Sequence, residues 1–230
     1  MRELIKNELS GWKAWEVVWL GLACLIITML SIYWGDNLMG IVSATTGVAC
    51  VVLTGKGKLS AYLFGLVNCV LYAIIAYKAA YYGETTLNLL YYSPMKFYGF
   101  YVWKKNMNIE TNEVKKRFMN NKTRLFSVLS IIAGTIIYGF VLKCIGDAMP
   151  FVDSFTTISS VVAMVVSIKM FAEQWWIWIF VNMFSVYMWI TSYSTTGESF
   201  GTLIMWIVYL GNSIIMCYKW TKEAKENEEV

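Results

Sequence analysis

Five residues in the run EQWWIWIFVNMFSVYMW (173–189) carry polar or aromatic chemistry at helical spacing. Gln174, Trp178, Asn182, Ser185 and Trp189 recur at intervals of three and four and so share one stripe of a helix. The rest of the run is apolar and long enough to cross lipid, where an exposed carboxamide leaves its donors and acceptors unpaired at a cost of a few kcal/mol. The stripe must therefore face protein or a wet chamber. Upstream, Ser60, Phe64, Asn68, Leu71 and Tyr72 form a second stripe, again with an asparagine near the middle of its span. Flat aromatic faces beside carboxamides suit an uncharged or singly cationic solute, with a ring to stack and hydroxyls or amides to bond. The competing use is structural: asparagines bonding across helices, and tryptophans filling space or sitting in the interfacial belt. Trp175 and Trp176 suit either belt or gate.

Two more stripes supply the other walls. Asn88, Tyr91 or Tyr92, Met95 and Tyr98 follow one, and Thr202, Trp206, Tyr209 and Asn212 or Ser213 follow the other. Asn88, Tyr92 and Asn212 are the polar contacts expected there. The candidate substrate-binding set is thus Asn68, Asn88, Tyr92, Gln174, Trp178, Asn182 and Asn212. Pro94 removes a backbone donor within its helix and is expected to act as a hinge, with Trp175 as a gate. Lys96 is expected to snorkel to the headgroups, with an internal ion pair as the alternative.

The elements that must position these residues are transmembrane helices. A chain of 230 residues that is 58% hydrophobic and 15% charged cannot hide its apolar surface in one water-soluble core. Uncharged runs at 17–34, 37–55, 59–77, 85–95, 125–142, 154–168, 174–197 and 199–218 predict eight spans. Their continuity, without strict alternation, excludes a transmembrane barrel. The first is too long for a signal-peptide core, and no small-residue cleavage site follows it. Basic residues alternate between loops, from Arg2, Lys6 and Lys13 through Lys56 and Lys58 to the crowded 104–124 stretch and Lys219, Lys222 and Lys225. The positive-inside rule then puts both termini in the cytoplasm. The formal charge of +4 is accounted for by this pattern, with no nucleic acid partner.

Absences narrow the mechanism. The sequence has no histidine and no Walker-type phosphate loop, and no acid deep inside a span apart from Glu16 near the start of the first helix. Neither an enzyme nor a nucleotide-driven pump fits, and no cofactor or metal is expected. Five cysteines, within or just past the ends of expected spans and without paired spacing, read as small packing residues. Passive alternating access is the simplest mechanism left, with sodium coupling through neutral oxygens still open. A non-transporting membrane sensor would tolerate the same helices.

An offset of 114 lays TTGVACVVL (45–53) on SSVVAMVVS (159–167), YLFGLVN (62–68) on WIWIFVN (176–182) and GETT (83–86) on GESF (197–200). Two parallel three-helix units at 37–104 and 148–222 follow, joined by a basic linker and connecting helix at 105–147. A segment at 1–36 with its extra helix precedes them, and a tail at 223–230 ends the chain.

This arrangement resembles the PnuC family of bacterial nicotinamide riboside transporters. The first half contributes FGLVNCVLYAIIAYKAAYYGETTLNLLYYSPMKFYGFYVW; the second contributes EQWWIWIFVNMFSVYMWITSYSTTGES and a closing YKW. The likeness covers roughly residues 37–222 and leaves the first helix as an N-terminal addition. It implies an all-α, SWEET-like 3+1+3 fold and a homotrimer in the bacterial inner membrane. It also implies facilitated diffusion of nicotinamide riboside, drawn inward by phosphorylation in the cytoplasm. The second half has no counterpart of Pro94, so paired proline hinges are not expected. From the residues alone, another neutral vitamin or a small sugar remains an alternative cargo.

Overall fold

Asn37 and Asn120 start helices by accepting hydrogen bonds from the backbone N–H groups of Gly40 and Thr123, at 2.9 and 2.8 Å. Gly57 and Gly197 stop helices in the left-handed conformation, at φ of 82° and 71°. A computed structural model describes residues 11–107, 114–197 and 200–228. Arg2, Lys6 and Glu198, used above for orientation and for the repeat, lie outside those residues.

Eight helices occur among the described residues. They are α1 (Ala14–Tyr33), α2 (Leu38–Lys56), α3 (Ser60–Lys78), α4 (82–105), α5 (Asn121–Cys144), α6 (Pro150–Ile168), α7 (Gln174–Thr196) and α8 (Phe200–Glu228). Six are long and apolar enough to cross a membrane: α1, α2, α3, α5, α6 and α8. The other two, α4 and α7, are long enough in residues but carry many tyrosine, tryptophan and polar side chains. Successive helices run in alternate directions. One end of the bundle therefore carries Lys56, the end of α4, the start of α5 and the end of α8; we call it the near end. The far end carries the turns after α1, α3 and α5.

Polarity is distributed inside out. On α6, Asp153, Ser154, Thr156, Ser159 and Ser160 are buried, whereas Phe126, Ile137 and Phe140 of the neighbouring α5 are exposed. A bundle in lipid gains little by hiding alkyl groups, so small hydroxyl residues take the helix contacts and alkyl chains face outward.

Buried aromatics gather in two clusters. Tyr72, Tyr81, Trp189 and Trp206 lie toward the far end. Tyr62, Trp103, Trp175 and Trp220 lie toward the near end. α1 docks on α2 and α8, where Glu16 is buried between Lys56 and Lys219, at 2.6 and 2.8 Å.

Candidate functional site

Between the two aromatic clusters lies a cavity of about 110 Å³, walled by α2, α3, α4, α6, α7 and α8. Helix α4 supplies a continuous line of its wall: Glu84, Asn88, Tyr92 and Lys96 all face the space. Residues four apart on a regular α-helix drift by about 40° per step, so three such steps would carry Lys96 off the face that Glu84 occupies. The drift is removed because residues Leu87–Tyr92 form a π-helical turn. Pro94 follows immediately, on the outer side of the helix. Its ring cannot donate to the ladder and crowds the preceding turn, and the wider π turn accommodates it.

The carboxamides divide into two groups. Asn68 of α3 lines the cavity and donates to the Ser43 carbonyl at 2.9 Å. Asn182 of α7 lines the opposite side and donates to Ser213 Oγ of α8 at 2.7 Å. Asn88 also lines it, its amide held by the Glu84 carbonyl at 2.8 Å. Trp178, partly buried, and Trp175, buried, complete the α7 wall. Gln174 and Asn212 sit elsewhere. Gln174 Nε2 donates to the Phe171 carbonyl at 3.2 Å, at the turn into α7. Asn212 accepts from Trp19 Nε1 at 3.4 Å and donates to the Val51 carbonyl at 3.1 Å, which ties α8 to α1 and α2. Of the pair Asn212 or Ser213, Ser213 is the one that lines the cavity. The expected α3 stripe also splits: Phe64 lies in a surface groove against α1 and α2, while Asn68 and Tyr72 face inward with Tyr62 and Cys69.

Hydrogen-bonded indoles close each end. Trp189 and Trp206 both donate to the Tyr72 hydroxyl, at 3.0 and 3.2 Å, so one phenol oxygen joins α3, α7 and α8. Tyr81 donates to the Met188 carbonyl at 2.8 Å beside them. At the near end Trp220 donates to the Gly55 carbonyl at 2.9 Å and Trp103 to the Ser167 carbonyl at 3.3 Å. Trp175 packs edge-on against Trp220, with ring centroids 5.8 Å apart, and its own buried Nε1 has no hydrogen-bond partner. Small residues make the fit tight: a Cβ on Gly47 would collide with Tyr209 Oη and Asn68 Nδ2.

Two charged lining groups depart from expectation. Glu84, just outside the 85–95 span expected from the sequence, is 2% exposed and lines the cavity wall. Lys96, expected to reach the headgroups, points into the cavity instead, with Nζ 3.8 Å from Cys50 Sγ and 5.5 Å from the Tyr92 ring centroid. Both were hidden by the same device: counting spans as charge-free runs cut α4 at 85–95, just inside the two charges. The signal was present in the four-residue spacing of Glu84, Asn88, Tyr92 and Lys96. Glu84 is placed by a capped helix start. Asp147 Oδ2 accepts from Tyr82 N at 3.0 Å, and Asp153 accepts from Gly83 N at 2.9 Å and Glu84 N at 3.1 Å. These three N–H groups open α4, where carboxylates are favoured by both the free donors and the helix dipole. Gly83 is required for this approach, because a Cβ there would lie 2.7 Å from Asp153 Oδ1.

A cavity with aromatic walls, neutral carboxamides and one charge of each sign has the chemistry to take up a small ring-bearing polar solute. A family model described as nicotinamide mononucleotide transporter matches residues 37–222. A protein of Neisseria mucosa named nicotinamide riboside transporter PnuC is 39% identical over 228 residues, covering 96% of this chain and 87% of the relative. One of the same name from Haemophilus influenzae is 33% identical over 224 residues, covering 96% of each. The crystal structure of the vitamin B3 transporter PnuC superposes with a TM-score of 0.87 at 38% identity, covering 97% of this chain and 98% of the other. Coverage that wide includes α1, so the first helix is shared with these proteins and is not an addition peculiar to this chain.

Proposed function

Because the chain belongs to the nicotinamide mononucleotide transporter family, a family of carriers and not of enzymes, we propose that it moves nicotinamide riboside, the solute named for its PnuC relatives, across a membrane. The supporting observation is the cavity, in which Trp178 and Tyr92 offer ring faces while Asn68, Asn88 and Asn182 offer neutral donors and acceptors. Among its described lining groups the formal charges are one carboxylate, Glu84, and one ammonium, Lys96. A phosphate prefers several donors or a guanidinium fork, so the riboside suits the space better than the mononucleotide. Gln174 and Asn212 are assigned to packing between helices.

Transport follows by alternating access. The Tyr72 cluster serves as one gate and the Trp175–Trp220 cluster as the other, with the π turn and Pro94 as the hinge of α4. All eight helices span, as two parallel three-helix units, 37–104 and 148–222, joined through 105–147 in a SWEET-like 3+1+3 order. The offset of 114 supports this, since Asn68 and Asn182 correspond under it and line opposite walls of one cavity. The near end, rich in lysine and arginine, faces the cytoplasm of a bacterial inner membrane with both termini, and the working assembly is a homotrimer.

The carrier lowers the barrier to exchange and supplies no free energy, so net uptake comes from phosphorylation of the riboside after entry. Glu84 gives this passive mechanism its sharpest test, because a buried carboxylate is the kind of group a proton-coupled carrier uses. Liposomes containing only this protein are expected to equilibrate labelled riboside, to show counterflow when preloaded, and to accumulate label only when a riboside kinase and ATP are enclosed. Accumulation in empty liposomes that requires an imposed proton or sodium gradient overturns the passive mechanism. Absence of exchange in any of these conditions overturns the transport assignment.

A further inference from the structure

The carboxylate of Glu84 has an unusual position for a group that needs solvation. The residue is 2% exposed, its Oε1 has no hydrogen-bond partner, and the side chain borders the cavity. Lining the cavity from the far-end cluster stand the rings of Tyr72 and Trp206, while the Tyr92 ring lies between this end and Lys96, its centroid 5.5 Å from Lys96 Nζ. Nearby charge does not neutralise it. Asp153 and Asp147, behind it at the start of α4, are carboxylates occupied with backbone N–H groups. Lys96 lies three four-residue steps further along the helix, on the other side of the π turn. The cavity is therefore polarised: an anion among aromatic rings at the far end, and an ammonium toward the near end. A buried anion with a free oxygen is costly unless a cation completes it, and aromatic faces attract delocalised cations independently of the carboxylate.

Resting on the transport assignment above and deepening it, we propose that Glu84 is the counter-ion of the substrate's pyridinium ring. The carrier thereby selects the oxidised, positively charged nucleoside over a neutral analogue of the same shape. The ring occupies the far half beside Glu84. The ribose points toward Lys96, which repels the ring from the near half and so fixes one orientation of the solute. The positive charge on the ring nitrogen, more than the carboxamide or the sugar, then distinguishes the cargo from other nucleosides.

The test is a binding titration on the full-length protein in lipid nanodiscs with three ligands of nearly equal shape. These are nicotinamide riboside, which is cationic; its dihydro form, which is neutral; and nicotinic acid riboside, a zwitterion that keeps the ring charge but adds a carboxylate that Glu84 would repel. Wild type is expected to prefer the cation by about tenfold or more, the scale of one charge-assisted contact. Glu84→Gln is expected to bring the three within about threefold of one another, by weakening the cation and by relieving the repulsion of the zwitterion's carboxylate, and Glu84→Asp to keep part of the preference. Gln and Asp variants are compared only where they elute as wild type does and melt cooperatively. The wild-type ranking stands as a test even where a variant does not fold. Wild type that exchanges the riboside yet binds the dihydro form equally well overturns the counter-ion assignment and leaves transport intact. Wild type that neither binds nor exchanges any of the three overturns both.

Discussion

At the near end, Glu16 sits between Lys56 and Lys219, Lys116 pairs with Glu223 at 2.6 Å, and Arg124 meets Glu173 at 2.6 Å. At the far end, carboxylates are held by the backbone. Asp147 and Asp153 cap α4, and Asp36 accepts from Gly201 N, in the first turn of α8, at 2.8 Å. One end uses side chains of opposite sign. The other uses the partial positive charge of helix starts. All four near-end contacts bring distant segments together, α1 to α2, α1 to α8, Lys116 to α8, and α5 to the turn before α7, so losing an ion there loosens the packing of whole helices. A far-end cap fixes where a helix begins, and for α4 that choice decides which residues reach the cavity.

The largest expected effect probes the near end. Glu16→Ala leaves the buried Lys56 and the partly buried Lys219 without their shared carboxylate. Breaking such a pair costs about 3–5 kcal/mol, so the melting temperature in detergent is expected to fall sharply while riboside affinity in the surviving folded fraction stays unchanged. An equal loss of affinity would show that the two ends are not separable in this way. The far-end counterpart is Asp153→Ala, which frees the N–H groups of Gly83 and Glu84. Its cost to stability is smaller, about 1–3 kcal/mol, and it is expected to weaken riboside binding as well by displacing Glu84; a titration on the folded variant checks this.

Tyr72→Phe sharpens the comparison inside the cavity. It removes the oxygen that accepts from both Trp189 and Trp206 and leaves two buried indole N–H groups, a change of about 1–3 kcal/mol against the closed far gate. Thiol labelling of a cysteine placed behind that gate is expected to accelerate, and equal labelling rates would argue against the gate. Asn182→Ala is expected to weaken riboside binding by about 1–2 kcal/mol by calorimetry, with folding intact. The smallest effect is electrostatic. Burial raises the Asp36 carboxyl above its ordinary value, only partly offset by the Gly201 N–H. Because the folded-state value is the higher one, this contribution to stability is complete below the ordinary carboxylate value and is lost as pH rises through the raised one. Melting temperatures across the acidic range are expected to show a small decline that Asp36→Asn abolishes.

Much of the helical architecture was legible in the sequence, because transmembrane helices announce themselves by composition, and the Asn and Gly caps at Asn37, Asn120, Gly57 and Gly197 mark their ends. The mid-span asparagines were legible for the same reason: a carboxamide has few places to go in lipid. Which carboxamide faces the cavity and which bonds to a neighbour was not. Ser213 and Asn212 differ by one residue, about 100° of helix rotation, and stripe counting does not resolve that. Glu84 and Lys96 were obscured because hydropathy treats a charge as the end of a span, whereas here the caps from Asp147 and Asp153 carry the helix past the first charge and the cavity admits the second.

The π turn in α4 also bears on how this helix tolerates change in length. Counted in residues, α4 contains one more than a regular helix would need between its capped start and its wall-forming lower half. Removing one residue from Leu87–Tyr92 would let the hydrogen-bond ladder become regular and put Lys96 eleven residues after Glu84, within about 20° of its direction at about 100° per residue. Regularising the ladder without a deletion would instead turn Lys96 by about 120°, off the wall and toward lipid. The π turn thus absorbs a single residue while keeping the two portions of α4 in phase, and a sequence comparison that opens a gap within 87–92 would be marking a regular helix with the same binding wall, not a different wall.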